Sequence, residues 1–167
     1  MSVYATRRTI ISQFCDTDGD GTGTIDATAD TSGTADEFYF TASTRAVIAR
    51  MIVSVGDTTG MQAQEYGNLG AALPNGVTVV TRDDGDVTVQ DLTGQDAVTT
   101  NANWGEYCYD VDVKTWGSGN ELLVARWTFL KTGTDLILEP GWDFVVNVND
   151  DQRGLLSHRF LVQGYYI

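Results

Sequence analysis

Short runs of alternating apolar and polar residues recur along this chain, most clearly toward its end. The alternation covers Asn120 to Leu130, Trp142 to Val148 and His158 to Val162, with Gly-rich or Asp-rich breaks between the runs. A period of two over short runs is typical of antiparallel β-strands that bury one face in a core. The pattern therefore predicts an all-β fold. It predicts no reaction, because these strands contain no catalytic motif.

Six further segments earlier in the chain also read as strands. They are Arg7–Phe14, Glu37–Ala42, Arg45–Val55, Val77–Val80, Val87–Leu92 and Tyr107–Val113. Arg45–Val55 has the apolar content of a short helix as well, but its β-branched residues favour a strand. Asp84-Gly85 predicts a hairpin tip. With no repeat of fixed period, about eight to ten strands predict an antiparallel β-sandwich, and among sandwiches a jelly roll.

The length of 167 residues and the 42% hydrophobic content predict one globular domain over residues 1–167. We expect a short N-terminal arm at residues 1–8 and an acidic surface loop at residues 15–36. No apolar stretch approaches the roughly 20 residues that a bilayer requires, and no signal-peptide pattern follows the start. We therefore expect synthesis in a cytoplasm. For Cys15 and Cys108, two buried free thiols are favoured over a disulfide.

The charge of the chain narrows the classes of partner. The net charge is −13 at pH 7, and the ten basic residues comprise eight arginines and only two lysines. Such a chain repels phosphate backbones and anionic lipid, so we expect neither nucleic-acid nor membrane binding. The simplest role for the acidity is a well-solvated surface that stays soluble at high local concentration.

One acidic segment resembles a cation-binding loop. Asp16, Asp18 and Asp20 alternate before a glycine, and Asp26 follows further along. Carboxylates at alternate positions beside a sharp turn can wrap oxygen ligands around Ca²⁺. The twelfth position of this segment is Ala27, where an EF-hand requires glutamate, and neither flank predicts a helix. An acidic turn loop without a metal is therefore the favoured interpretation. Calcium at these four aspartates is the alternative, and no cofactor is expected to be required.

The sequence contains no pattern that predicts an enzyme. Its single histidine, His158, lies next to Ser157 in an alternating strand, without an orienting acid, and a structural histidine is the favoured interpretation. Acidic residues are plentiful but form no motif for glycoside cleavage. No phosphate-binding loop and no zinc ligand set are present. We therefore predict no catalytic residues.

The four tryptophans divide into two groups. Trp127 and Trp142 lie in alternating strands beside phenylalanines, which predicts core positions rather than platforms for sugar rings. Trp104 and Trp116 lie in loop-like contexts, where an aromatic ring can anchor a partner chain. Together with Arg7 and Arg8 of the N-terminal arm, they are the candidate interface residues. For the two arginines, an ordinary strand start is the alternative.

The order of several segments resembles a known group of proteins. These segments are Glu37 to Phe40, Ala49 to Val53, Glu65 to Gly67, Trp104 to Tyr109, Val124 to Phe129, Gly154 to Phe160 and Val162 to Tyr165. From about residue 36 onward the chain is similar to small structural proteins of tailed bacteriophages. The segment from Cys15 to Gly33 matches least well. The resemblance implies a virion component without enzymatic activity, and it transfers no binding residues.

Resemblance and physical reading lead to the same functional expectation. We expect a capsid decoration (cement) protein, made in the host cytoplasm and located in the virion, that stabilises the head through symmetric contacts. Its expected partners are the major capsid protein and copies of itself in a homo-oligomer. Two alternatives remain open at this point. One is a glycan-binding or host-binding module of a tail or head fibre that uses calcium, and the other is a neck or tail connector.

Overall fold

The computed structural model describes residues 8–17, 36–57, 77–82, 87–91, 99–100, 108–116, 120–129, 136–148, 152 and 155–167. Within these residues eleven strands form two sheets, and every strand pairing is antiparallel. The described part of the chain contains no α-helix, and hence none that could cross a membrane. The all-β prediction is confirmed.

The larger sheet, sheet A, has six strands. In spatial order they are β1 (Ile10–Phe14), β11 (Ser157–Tyr166), β3 (Ala46–Asp57), β8 (Asn120–Thr128) and β7 (Cys108–Trp116), with β9 (Leu136–Leu138) paired to the start of β3. Because β3 is twelve residues long, β8 and β9 both pair with the same edge of it, one after the other.

The smaller sheet, sheet B, has five strands. In spatial order they are β2 (Asp36–Thr41), β10 (Asp143–Val148), β4 (Val77–Arg82), β5 (Val87–Asp91) and β6 (Thr99–Thr100). The first four strands alternate between the sheets, with β1 and β3 in sheet A and β2 and β4 in sheet B. The pairings are also nested, because β1 pairs with β11, β2 with β10, β3 with β8, and β4 with β5.

The core lies between the inner faces of the two sheets. Side chains from both sheets form one buried cluster, and aromatic rings meet across it. Phe38 of β2 and Phe160 of β11 have ring centroids 5.3 Å apart, and Phe129 meets Phe144 of β10 edge-on at 5.8 Å. Facing sheets with interdigitated inner side chains define a β-sandwich.

The strand predictions differ from the structure mainly in number. Arg45–Val55, for which a helix was the alternative, is the strand β3. The eleven strands exceed the expected number because β6 and β9 have two and three residues, too few for a periodic signal. Trp142 is half buried and packs against the core, whereas the side chain of Trp127 lies outside the described part.

Candidate functional site

The outward surface of sheet A carries the most distinctive group of described side chains. Inward and outward positions alternate along its strands, and the register aligns the outward ones in rows. One row runs from Phe14 to Leu161, Ile52 and Arg126. We call this surface the outer face of sheet A, formed by Ile10, Ser12, Phe14, Arg50, Ile52, Ser54, Leu122, Val124, Arg126, Thr128, Arg159, Leu161, Gln163 and Tyr165.

Apolar side chains are contiguous on this face. Ile10 is 72% exposed and Phe14 is 42% exposed, and both lie on the edge strand β1. Leu161 and Ile52 continue the row from Phe14 across β11 and β3, and both are half buried. Single exposed hydrophobic residues are ordinary on a protein surface, whereas a contiguous group is typical of an interaction surface.

Arginines flank the apolar row. Arg50 and Arg126 lie on adjacent strands of the same face, and Arg159 is exposed beside them on β11. The Arg50 Nε donates a hydrogen bond to Gln163 Oε1 at 2.9 Å, which orients the guanidinium along the sheet. Arg126 lies opposite Asp110 of β7 in the register, so Arg50 and Arg159 are the two arginines that make the centre of this face locally basic in a chain of net charge −13.

A groove of about 350 Å³ opens on this face at a β-bulge. The register between β11 and β3 shifts after Gln163, so that Gly164 lies opposite Ile48 and one residue of β3, Ala49, has no register partner on β11. Bulges locally bend a strand and re-aim its side chains. The groove is lined by the apolar Ile10, Ile11, Ala49 and Gly164 and by the polar Arg50, Thr128, Gln163 and Tyr165.

The predicted interface residues fall only partly within the described structure. Arg8 is exposed, and its guanidinium carbon lies 4.3 Å from the centroid of the Tyr165 ring, a cation–π geometry at the edge of the groove. Arg7 and Trp104 lie outside the described residues. Trp116 is the last residue of β7, and its side chain is not described. The structure therefore brings Arg8 to the outer face, and the other three assignments stay predictions.

The structure buries the start of the predicted acidic loop. Asp16 is 2% exposed, and its backbone pairs with Tyr39 of β2 through bonds of 2.7 and 3.1 Å. Asp18, Asp20 and Asp26 lie outside the described residues. The described part contains no group of three or more His, Cys, Asp or Glu that could hold a metal. Asp16 is thus buried beside Tyr39, whereas residues 18–35 of the predicted loop lie outside the described residues, so the loop and its calcium binding stay predictions.

Cys15 is buried next to this aspartate. Its backbone N–H donates to the carbonyl of Phe160 at 2.9 Å, and its thiol is free. Burial raises the pKa of the Cys15 thiol, and the charge of Asp16 raises it further. A thiol held protonated in this way is a poor nucleophile, so Cys15 acts as a small apolar residue of the core. This agrees with the predicted buried free thiol.

His158 is buried at the second residue of β11, where its ring packs 4.4 Å from that of Phe160. Its Nδ1 lies 2.8 Å from Oε1 of Gln152. Because an amide oxygen only accepts, Nδ1 carries the proton and donates it. Burial lowers the pKa of His158 to about 3, so the ring is neutral at pH 7. This environment matches the predicted structural histidine.

Sequence reasoning overlooked the outer face of sheet A, although a signal for it exists. Within an alternating strand, one phase faces the core and the other faces solvent. Ile10, Phe14, Ile52 and Leu161 occupy the solvent phase, where polar residues are expected. Apolar residues at the outward phase of four strand positions, interspersed with arginines, were the signal that this face differs from an ordinary solvated one.

Comparison with known proteins identifies no relative. No protein-family model matches the chain, and neither curated proteins nor solved structures include a significant match. Function must therefore be inferred from the fold and its surfaces.

Proposed function

We propose that the chain is wound as a jelly roll and is a structural protein of a tailed bacteriophage virion, specifically a capsid decoration protein. The observation that carries this proposal is the nested pairing of β1 with β11, β2 with β10, β3 with β8 and β4 with β5. A two-sheet sandwich in which the chain crosses repeatedly between sheets and its ends meet has the plan of a jelly roll. Jelly rolls recur in virus capsids and in lectins.

The architecture suits a protein that binds a lattice. Two sheets packed over a continuous core form a rigid body, so a surface built on strands keeps its side chains in fixed relative positions. The outer face of sheet A is such a surface, with contiguous apolar side chains and flanking arginines. A decoration protein can bind tightly through many copies of one weak contact, because the head repeats the same partner surface at regular spacing.

The second candidate, a glycan-binding fibre module, is favoured by one observation. The groove at the bulge combines an aromatic residue, Tyr165, with the hydrogen-bonding side chains of Arg50, Thr128 and Gln163. Such a combination is typical of sites for polar ligands. Against this candidate, the apolar row from Phe14 to Ile52 extends beyond the groove and would stay exposed beside a bound sugar.

The experiment that tests the proposal is to locate and count the protein in purified virions. Immunogold labelling gives its position, and quantitative mass spectrometry against the major capsid protein gives its copy number. A decoration protein is expected on the head at on the order of hundreds of copies, because it follows the symmetry of the shell. About a dozen copies confined to a tail, fibre or neck would contradict the proposal in favour of a fibre module or a connector. Absence from virions would refute all three.

A further inference from the structure

We propose that the outer face of sheet A is the docking surface for a second copy of this chain, and that the contact is heterologous. This docking surface deepens the proposed function, because a decoration protein requires an interface between its own copies or with the shell. Its biological role rests on the proposed function, whereas its existence does not.

The face is large enough for a stable contact. Its four strands β1, β11, β3 and β8 side by side, at about 4.8 Å per strand, and the eight residues of β3 paired with β8, at about 3.3 Å each, outline about 500 Å² in projection. The accessible surface of side chains standing on that area is larger, and a standard interface buries about 800 Å² per partner. The outer face therefore has the dimensions of one side of an ordinary interface.

The centre of the face has the chemistry of an interface core. Phe14, Leu161 and Ile52 lie side by side in register, and Ile10 is a further exposed apolar residue of β1, separated from Phe14 by Ser12. Interface cores are apolar and enriched in aromatic residues and arginine. A rigid sheet also presents these side chains without a loop to order, which lowers the entropic cost of binding.

The charge of the face identifies the occupant. Arg50 and Arg159 make its centre basic, whereas Arg126 lies opposite Asp110 of β7, and the chain as a whole carries −13. The remainder of the chain is therefore even more acidic than the whole. Any other surface that a second copy presents to this face is therefore, on average, strongly acidic. Charge complementarity of this kind accelerates encounter and selects the partner orientation.

The same charges argue against a face-to-face dimer. In an isologous contact the strip of β3 and β11 that carries Arg50 and Arg159 would face the same strip of the partner, and like charges across an interface are destabilising. A heterologous contact instead places the basic face of one copy on an acidic surface of the next. Such contacts close into rings when the rotation allows it. The groove beside Arg50 is the place on the face that best accommodates a carboxylate of the neighbouring copy, because the guanidinium and Thr128 both line it.

The test measures self-association of the purified full chain by sedimentation velocity over a range of concentration and salt. The wild-type chain is expected to form a closed oligomer with a mass that is a multiple of 18.1 kDa. Raising the salt concentration is expected to weaken it, because charges at the rim are screened. A wild-type chain that stays monomeric up to about 100 µM, a concentration at which even weak specific contacts are populated, overturns the proposal.

Two pairs of matched variants assign the contact to this face. Phe14→Ser is compared with Leu156→Ser, which removes another exposed hydrophobic side chain, 51% exposed and outside the face. Arg159→Glu is compared with Arg82→Glu, which reverses the same charge in sheet B. The two face variants are expected to raise the dissociation constant about tenfold or more, and the two controls by less than about twofold. Equal effects of face and control variants would place the contact elsewhere and overturn the proposal. Circular dichroism establishes that each variant is folded.

Two outcomes keep this proposal distinct from the proposed function, and two more test which molecule occupies the face. An oligomer broken by the face variants in a protein that is absent from virions would retain the docking surface and refute the decoration role. A monomeric protein found in many copies on heads would do the reverse. A monomer that binds purified heads, and loses that binding with Phe14→Ser, would mean that the shell covers the face and would overturn the second copy as its occupant. If the chain binds a sugar and Arg50→Gln loses that binding, a glycan occupies the face, and this result would also overturn the second copy as its occupant.

Discussion

Among the glycines that the structure describes, Gly164 is the one at which an added methyl group should cost the most stability. It lies on β11 at the bulge against β3, in the centre of sheet A. A Cβ placed there overlaps the carbonyl oxygen of Val47 and lies 3.0 Å from the carbonyl carbon of Val47 and 3.1 Å from Cα of Ile48. All three neighbours are backbone atoms of a central strand. They cannot rotate away, so the two strands must separate or the bulge must rearrange.

The expected loss of stability in Gly164→Ala is estimated by comparison with alanine substitutions at two other glycines. At Gly56 an added Cβ lies 2.8 Å from the Ser157 hydroxyl, which can rotate, so Gly56→Ala is expected to cost less than about 1 kcal/mol. At Gly141 nothing lies within 4 Å, but φ is +86°, so Gly141→Ala costs about 1 kcal/mol through backbone strain. At Gly164 the overlap is with backbone, and we expect about 3 kcal/mol, the upper end of overpacking costs.

The three alanine variants are compared by urea unfolding followed by tryptophan fluorescence and by thermal melts. For a chain of this length, about 3 kcal/mol lowers Tm by about 6–12 °C. The expected order of stability loss is Gly164 first, Gly141 second and Gly56 last. If Gly164→Ala is no less stable than Gly56→Ala, then β11 and β3 do not approach closely at the bulge, and the reasoning from the register of sheet A is refuted.

Two further predictions concern the buried titratable groups. Because burial lowers the pKa of His158 to about 3 from 6.5, the folded state binds fewer protons than the unfolded state between these values. The contribution of the neutral His158 ring to the free energy of unfolding is complete above pH 6.5. It is lost as the pH falls toward 3, at up to about 1.4 kcal/mol per pH unit. In His158→Asn, which keeps a donor for Gln152, urea midpoints from pH 7 to 4 should fall less steeply, and an unchanged slope would contradict the buried neutral ring. For Cys15, a Cys108→Ser chain should show no reaction with a thiol reagent when folded and one thiol when unfolded, because burial holds the Cys15 thiol protonated. Rapid labelling of the folded chain would contradict its burial.

The strands were predictable because their signal is local. Alternation over Trp142 to Val148 reflects the two faces of β10, and any strand with one buried face shows it. The limits of this signal appear at Val145, which is fully buried although it lies at the phase opposite to Phe144 and Val146. When both phases are apolar, alternation no longer tells which side faces the core. Cys15 illustrates another limit, since a buried residue at the start of a polar segment carries no periodic signal of its own.

The candidate surface was not predictable in the same way, because it consists of residues far apart in the chain. Phe14, Ile52 and Leu161 form one row only after β1 and β3 have paired with opposite edges of β11. Apolar residues at the outward phase mark each strand separately, but their positions in the sequence do not show that they form one row. Trp104 and Trp116 were the predicted interface residues because an aromatic residue in a loop-like context is visible in a local window, whereas an assembled row of smaller side chains is not.

The sequence by itself determined the class of this protein: alternation specified antiparallel strands with one buried face, and the composition specified an acidic globular chain. Only the tertiary structure decided which strand pairs with which. Backbone hydrogen bonds are the same for every residue, so a strand such as β1 carries no local label for its partner β11. The partner is selected when all buried faces close on one core at once. The nested order of the sheets, the bulge at Gly164 and the basic apolar face are products of that selection, and they carry the functional proposals.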